Sequence, residues 1–374
     1  MGYGSTRGSR IATLDGWRGI AISLVLLEHL TVYGKHPLPL GSLGVDVFFV
    51  LSGYLITSRL LIEQDETGGI SLRKFYMRRA FRILPPVCLY LFAIAVLKLF
   101  LHRADVTGSQ ITAALFFFRN YQFVAHPAGL LTLQFWSLAI EEHFYLFWPV
   151  TLVLLGRRKG LLFASVLAIA SAAWRLALET HAGLSALVGC ATQAQAILRT
   201  DARLDGLLVG CGLALLLRKE AVQRFIYRNF PTEAPVVLLI AVFADRHRTH
   251  GQPALTTYIL VALLLASSLV VKEGISYRAL NLKPLVWLGG ISYSVYIWQQ
   301  VFLLHLPGDL LLGVLNRFPL SLACVLLVAW ASYRFVEQPS IAWGSRAMRA
   351  RQKEADVMPM LDGGILTPQE SEAR

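Results

Sequence analysis

An arginine and a histidine on one apolar helix are the first residues in this chain whose types and spacing could do chemistry. The stretch LDGWRGIAISLVLLEHL, residues 14–30, carries Arg18 and His29 eleven positions apart. Eleven helical residues make just over three turns, so both side chains share one face, about 16 Å apart along the axis. Ionisable groups on one stripe of a lipid-soluble helix are costly to keep there, and their default reading is functional. The bland alternative is a pair snorkelling to opposite interfaces, and for His29 it is the weaker reading. Carboxylates recur in other apolar runs: Asp46 in GVDVFFVLSGYLIT (44–57), Glu141 and Glu142 in FWSLAIEEHFYLFWP (135–149), and Asp205 beside Arg203 in RLDGLLVG (203–210). A histidine with carboxylates nearby in a water-poor pocket suits general-base activation of a hydroxyl. A second constellation is purely basic: RKFYMRRAFRILPP (73–86) offers Arg78, Arg79 and Arg82. Arginine forks suit a phosphate-rich ligand, whereas the plain reading is charge retained on the cytoplasmic side of a membrane. Charge alone leaves those two readings even.

The elements that must position these residues are helices. Of 374 residues, 55% are hydrophobic and 16% charged, too apolar for a soluble domain or for a soluble domain with one anchor. The net charge of +12 lies in Lys and Arg between apolar runs, the positive-inside pattern of a membrane protein rather than a nucleic-acid binder. The expected fold is an all-α polytopic membrane bundle of about ten crossings, near 17–33, 43–62, 85–101, 133–155, 161–178, 204–217, 234–244, 254–271, 286–306 and 320–336. The short run ITAALFFF, 111–118, is the doubtful one. If it does not cross, the basic segments 73–79, 156–160, 218–228, 272–283 and 346–353 all fall on the N-terminal side, as the charge bias requires. Both termini are therefore expected in the cytoplasm, with 102–132 an outer loop. Residues 1–343 read as one membrane domain and 344–374 as a disordered cytoplasmic tail. No cleavable leader is visible, and the first run reads as an uncleaved helix.

This topology sets depths. His29, Asp46, Trp136, Ser137, Glu141, Glu142 and Arg203 with Asp205 fall in the outer half, and Ser292 and Tyr293 of ISYSVYIW (291–298) at middle depth. They read as one buried polar site. The four cysteines, Cys88, Cys190, Cys211 and Cys324, stand alone in apolar stretches, so neither a disulfide framework nor a metal site is indicated, and each reads as a small buried hydrophobe. There is no GxSxG, P-loop or GxGxxG pattern to support a serine acyl-enzyme, nucleotide hydrolysis or dinucleotide redox chemistry.

With LDGWRGIAISLVLLEH, GVDVFFVLSGYLIT, RRAFRILPP, FWSLAIEEHFYLFWP, RLDGLLVG, ISYSVYIW and YRFVEQP (333–339) in that order, the chain resembles the acyltransferase-3 family of integral membrane O-acyltransferases. The family O-acylates surface polysaccharides, lipopolysaccharide, peptidoglycan, periplasmic glucans and some macrolides. The resemblance implies His29 as the base that deprotonates the acceptor hydroxyl, with Arg18 its essential companion. It implies Arg78, Arg79 and Arg82 as a cytoplasmic site for the phosphates of acyl-CoA. It gives Glu141 the role of orienting His29 or the substrate, and adds Asp46, Arg203 and Asp205 as family positions of less certain role. Asp46 joins His29 and Glu141 as a catalytic candidate. Trp136, Ser137, Ser292 and Tyr293 are further site candidates. The implied activity moves an acyl group, most simply acetyl, from cytoplasmic acyl-CoA to a sugar hydroxyl at the inner membrane of the cell, with no permanently bound cofactor. Two departures stand out. The family's S-Y-S-x-Y-x-x-H motif has Gln299 in place of its histidine, and only a short tail follows the last helix, where some members append an SGNH hydrolase-like domain. Transfer is then expected to finish within the membrane domain or with a partner protein. The competing classes are a proton-coupled transporter or flippase using the same His/acid cluster, and a non-catalytic sugar-binding subunit. The first lacks any sign of inverted repeats; the second would be expected to lose Arg18 or His29, and both are present.

Overall fold

The computed structural model describes residues 11–31, 40–101, 106–125, 129–190, 192–304, 314–315 and 317–349. Among them every regular element is a helix. In chain order these are α1 (Ala12–Thr31), α2 (Leu40–Thr67), α3 (Leu72–Leu101), α4 (Gly108–Leu115), α5 (Arg119–Ala125), α6 (Phe135–Thr180), α7 (Ala182–Leu187), α8 (Gln193–Ala196), α9 (Leu204–Leu216), α10 (Glu220–Asn229), α11 (Ala234–Arg248), α12 (Leu255–Val270), α13 (Gly274–Leu280), α14 (Lys283–Gly290) and α15 (Ser292–Leu303). The last helix, α16 (Leu320–Arg349), passes through a π-turn at Tyr333–Glu337. It runs through the expected start of the tail at residue 344; residues 350–374 lie outside the described ones.

Four helical runs are long and apolar enough to cross a bilayer: Leu40–Thr67, Leu72–Leu99, Leu130–Thr180 and Leu320–Arg349. Two bent pairs, α10 with α11 at 91° and α12 with α13 at 95°, raise the number to six when each is one broken span. That is fewer than ten, for identifiable reasons. The 20-residue α1 carries Asp15, Arg18 and Glu28, the apolar α9 is short, and residues 283–303 are split into α14 and α15 at Ile291. The run 133–178 is one helical stretch broken at Gly156, whose φ of 67° and ψ of −176° belong to glycine alone. His143 before the break and Ser171 after it both reach the turn at Thr200–Asp201, so the two halves fold back on each other as a hairpin. In the segment 111–118, α4, closed by a Thr107–Gln110 capping box, is eight residues and about 12 Å long, too short to cross a bilayer by itself.

The basic segments collect at one end of the bundle. Arg78 pairs with Glu63 at 2.7 Å, and Arg157 and Arg218 both pair with Asp65. Asn281 bonds Thr13 at the start of α1, and Trp343 packs on Phe81. This is the arginine end. The far end is capped by residues 107–125, 129–132 and 192–203, which meet where the Asn120 amide donates to Thr200 Oγ1 at 3.0 Å.

The helix at the centre is α2. Two-thirds of its apolar window is buried (67%), against 28–33% for the other three long runs. It packs on α9 at backbone distance, because glycines face each other there. A Cβ on Gly53 would meet the Leu207 carbonyl, and one on Gly210 the Val50 carbonyl. Small residues let membrane helices approach this closely. Of the cysteines, all free, Cys190 and Cys211 are buried as expected, whereas Cys88 is exposed on α3. Gly53→Ala should therefore push α2 from α9 and cost about 1–3 kcal/mol or more, and Gly156→Ala should strain the hairpin turn by about 1–3 kcal/mol. Both are read as a lowered thermal midpoint in detergent; an unchanged midpoint for Gly53→Ala would mean that the two helices do not touch.

Candidate active site

Five helices enclose a cavity that begins at the arginine end. It holds about 760 Å³ of empty space, part of it open to solvent. Arg18 of α1, Arg79, Arg82 and Ile83 of α3, and Val45, Phe48, Ser52 and Leu55 of α2 form one side. Ser137, Glu141, Glu142 and Tyr145 of α6 with Ser292, Tyr293 and Tyr296 of α15 form the other. Val45 to Leu55 is ten helical residues, so the cavity runs about 15 Å along α2.

The cationic mouth is built from three helices. Arg18 pairs with Asp15 at 3.3 Å, and Arg82 stands 4.0 Å from Glu337. The Arg79 guanidinium lies 4.0 Å above the Tyr145 ring. Arg59 of α2, which sequence reasoning missed, lies in the electrostatic neighbourhood of Arg18, Arg78, Arg79 and Arg82. Its signal was a lone arginine at the end of an apolar run. Arg78 does not line the cavity; it turns to the exposed rim, held by Glu63 at 2.7 Å. Arg78 and Arg79 are neighbours, and successive helix positions point about 100° apart.

Midway along the cavity, Ser52 Oγ donates to Glu141 Oε2 at 3.2 Å, and the Tyr145 hydroxyl donates to the same oxygen. Of the two roles expected for Glu141, orienting His29 or orienting the substrate, its hydrogen bonds to Ser52 and Tyr145 do not reach His29 and leave it facing the cavity. Glu142 lines the cavity beside it. At the closed end Ser137 Oγ and the Tyr296 hydroxyl share a 2.5 Å hydrogen bond. Tyr293 donates to the Ile83 carbonyl at 3.1 Å, tying α15 to α3.

His29 lies beyond that closed end and is half-buried. Its Nδ1 is 2.8 Å from the Val25 carbonyl. A carbonyl only accepts, so the neutral ring carries its proton on Nδ1 and leaves the Nε2 lone pair free to accept. The Gln300 amide faces Nε2 at 3.3 Å. Gln300, rather than the Gln299 singled out by the motif comparison, is therefore the residue at the histidine. It sits four residues after Tyr296, one turn or about 6 Å past the cavity wall.

The remaining candidates form a second, separate cluster, not the single polar site expected. Asp46 is fully buried and does not line the cavity. Its Oδ1 accepts from Arg203 at 2.9 Å and from Tyr258 at 3.1 Å, and its Oδ2 from Arg246 at 3.0 Å. Asp205 pairs with Arg175 at 2.7 Å. Arg203 also lies 5.5 Å from the rings of Phe49 and Trp136, which removes Trp136 from the cavity wall. Arg175 and Arg246 were not picked out in the sequence; Arg175 is a lone arginine inside an apolar run, the usual mark of a buried ion pair, whereas Arg246 stands in the charged stretch DRHR that ends one. Among the described residues no group of three or more His, Cys, Asp or Glu stands close enough to hold a metal ion.

Comparison with known proteins gives this geometry a context. An acyltransferase-domain family model, acyltransferase 3, matches residues 11–334. The chain belongs to the acyltransferase-3 family. Similar proteins include one of Staphylococcus aureus (strain COL) with a provisional O-acetyltransferase name, 31% identical over 91% of this chain and 59% of its own length. Another is the peptidoglycan O-acetyltransferase OatA of Listeria monocytogenes, 29% identical over 90% of this chain and 57% of its own. A third, YrhL of Bacillus subtilis, is provisionally named a peptidoglycan O-acetyltransferase and is 30% identical over 93% and 58%. The chain spans under three-fifths of the length of these relatives. No solved structure matches it. Membership agrees with the membrane-capable helices.

The Asp46 cluster generates a test that separates support from chemistry. Asp46→Asn leaves Arg203 and Arg246 sharing a buried site without their counter-charge, a loss of about 3–5 kcal/mol. We expect poor recovery of folded protein and a lowered thermal midpoint, readable without any substrate. A variant that folds normally yet loses activity would instead return Asp46 to the chemistry.

Proposed function

We propose that the chain is a membrane O-acyltransferase that moves an acyl group, most simply acetyl, from acyl-CoA to a hydroxyl of a cell-surface glycan or glycolipid. The observation that carries this is the alignment of a multi-arginine mouth, a cavity about 15 Å long, and a histidine past its far wall whose Nε2 faces the Gln300 amide. The donor's phosphates would be held by Arg18, Arg79 and Arg82, with Arg59 adding charge, and its arm would run along the cavity toward His29. His29 Nε2 would take the proton of the acceptor hydroxyl. The oxygen then attacks the thioester carbonyl, the C–S bond breaks, and the departing thiolate takes the proton back from the imidazolium. Ester and free thiol result, and the base is regenerated. Ser137 with Tyr296, and Glu141 with Tyr145, line the route and would orient the acyl arm. Passage to His29 requires the Tyr296–Ser137 wall to give way.

The reading places the arginine end and both termini in the cytoplasm, in line with the collected basic segments, and keeps about ten crossings by counting α1, α9, the bent pairs and the α14–α15 pair as spans. The far-end cap, where Asn120 meets Thr200, would face the acceptor. The peptidoglycan acetyltransferase names among the relatives favour a wall or surface glycan.

His29→Ala should lower acyl transfer by about 10²–10⁴-fold, the usual worth of a general base, with an unchanged thermal midpoint. Near-normal transfer by that variant would end the base assignment. Arg79→Ala and Arg82→Ala should each raise the KM for acetyl-CoA by about tenfold or more with little change for acceptor, whereas Arg78→Ala on the rim should leave it within about twofold. The decisive experiment is acetyl-CoA binding and slow hydrolysis by the purified protein, wild type against His29→Ala. Binding by both with hydrolysis only by the wild type is the expected result. Failure to bind any acyl-CoA would overturn the reading in favour of proton-coupled transport.

A further inference from the structure

A second hollow lies beside the main cavity, in the seam between α3 and α6. It holds about 470 Å³ of empty space, part of it open to solvent. Four residues, Arg79, Ile83, Glu142 and Tyr145, line both hollows and form the wall between them. The side walls are Ala80 and Leu84 on α3 and Leu146 on α6, with Tyr76 closing the arginine end by donating its hydroxyl to the Leu146 carbonyl at 2.7 Å. This bond and the Arg79–Tyr145 contact bridge the two helices by side chains, in contrast to the glycine contact of α2 with α9.

The rim of this cleft is apolar and exposed: Leu84 is 40% exposed, Leu146 57%, and the adjoining Phe147 68%. On a long apolar helix such a flank faces lipid tails. The end of the groove is the opposite in character. Among the described residues Arg79 makes no ion pair within 4.0 Å, and a guanidinium laid over a ring keeps its N–H edge available to an acceptor. Arg78 and Arg82 flank it on the same helix. Glu142, about one turn farther along α6 than Tyr145, is within Arg79's electrostatic reach, so the part of the cleft that favours an anion is its arginine end. An apolar groove open to hydrocarbon and ending in a cation is complementary to an amphiphile with an anionic head, in the manner of basic pockets between membrane helices.

We propose that this cleft is a binding site for an anionic phospholipid, its phosphate against Arg79 and one aliphatic chain along Ala80, Leu84 and Leu146. A lipid seated there has its head at the wall shared with the main cavity. Arg79 borders both hollows, so a lipid phosphate and the phosphates of the proposed acyl donor would share this one guanidinium.

The test uses the full chain in lipid nanodiscs with a phosphatidylglycerol probe carrying a photoactivatable group in its acyl chain. Labelling is expected in the segments 80–87 and 142–147. Unlabelled phosphatidylglycerol should compete about tenfold better than phosphatidylcholine, the discrimination of one charge-assisted contact. Inorganic phosphate alone should not compete. Leu84→Trp, a change at an exposed position that leaves the fold intact, and Ala80→Phe should both fill the groove and remove the labelling, and Arg79→Gln should abolish the preference for the anionic head. Labelling spread evenly over the lipid-facing helices, equal competition by the two lipids, or full labelling of Leu84→Trp would overturn the proposal. Competition by inorganic phosphate would also overturn it, in favour of a simple anion site.

Discussion

Charge buried in an apolar bundle has to be neutralised where it stands, and in this protein one carboxylate does so for two arginines. Asp46 holds Arg203 and Arg246 while accepting from Tyr258. It thereby ties α2 to the start of α9, to α11 and to α12. The Arg175–Asp205 pair adds the second half of α6 to the same knot. In a site this dry, removing one partner costs far more than forming the pair gains, so the far end of the bundle is held in one arrangement. The arginine end is built differently. Its cations outnumber their partners around the cavity mouth, an unbalanced charge that an arriving polyanion would satisfy.

The hollow between these ends has a mechanical origin. On one side of α2, glycines at Gly53 and Gly210 bring α9 to backbone contact, and Gly16 and Gly19 do the same for α1 against residues 280–285. On the other side the spacers are aromatic: Phe48, Tyr145, Tyr293 and Tyr296 stand between α2, α6, α15 and α3. Small residues close one flank of the central helix while large ones hold the other open. The hydroxyls of those tyrosines are satisfied by Glu141, Ile83 and Ser137, so the spacers are fixed in place. Substrate specificity in such a cavity would depend on these ring positions as much as on the charged groups.

The relation of His29 to the cavity limits what the chemistry can be. Its ring is oriented by its own helix, through the Val25 carbonyl, and needs no carboxylate to select the tautomer. Glu141 is thereby released to the middle of the cavity, where its bonded oxygen faces Ser52 and Tyr145. The acidic and basic candidates, read together in sequence, are separated by the Tyr296–Ser137 contact.

Much of this was legible before any coordinates. Hydrophobic runs and basic segments are local properties, so most helices, the break near Gly156, the shortness of the helix at 108–115 and the collection of basic segments at one end follow from the sequence alone. So does the shared face of Arg18 and His29, since helix geometry converts an eleven-residue spacing directly into direction. What only the tertiary structure decided is which polar group meets which. Arg78 and Arg79 are adjacent letters, yet one faces Glu63 at the rim and the other the cavity. Asp46 lies among the site motifs, yet its partners are 157, 200 and 212 positions away. Gln300 rather than Gln299 meets the histidine, 271 positions away. Periodicity reports the face of a helix but not the helix opposite it, and buried ion pairs form between faces; that pairing is settled only when the bundle closes.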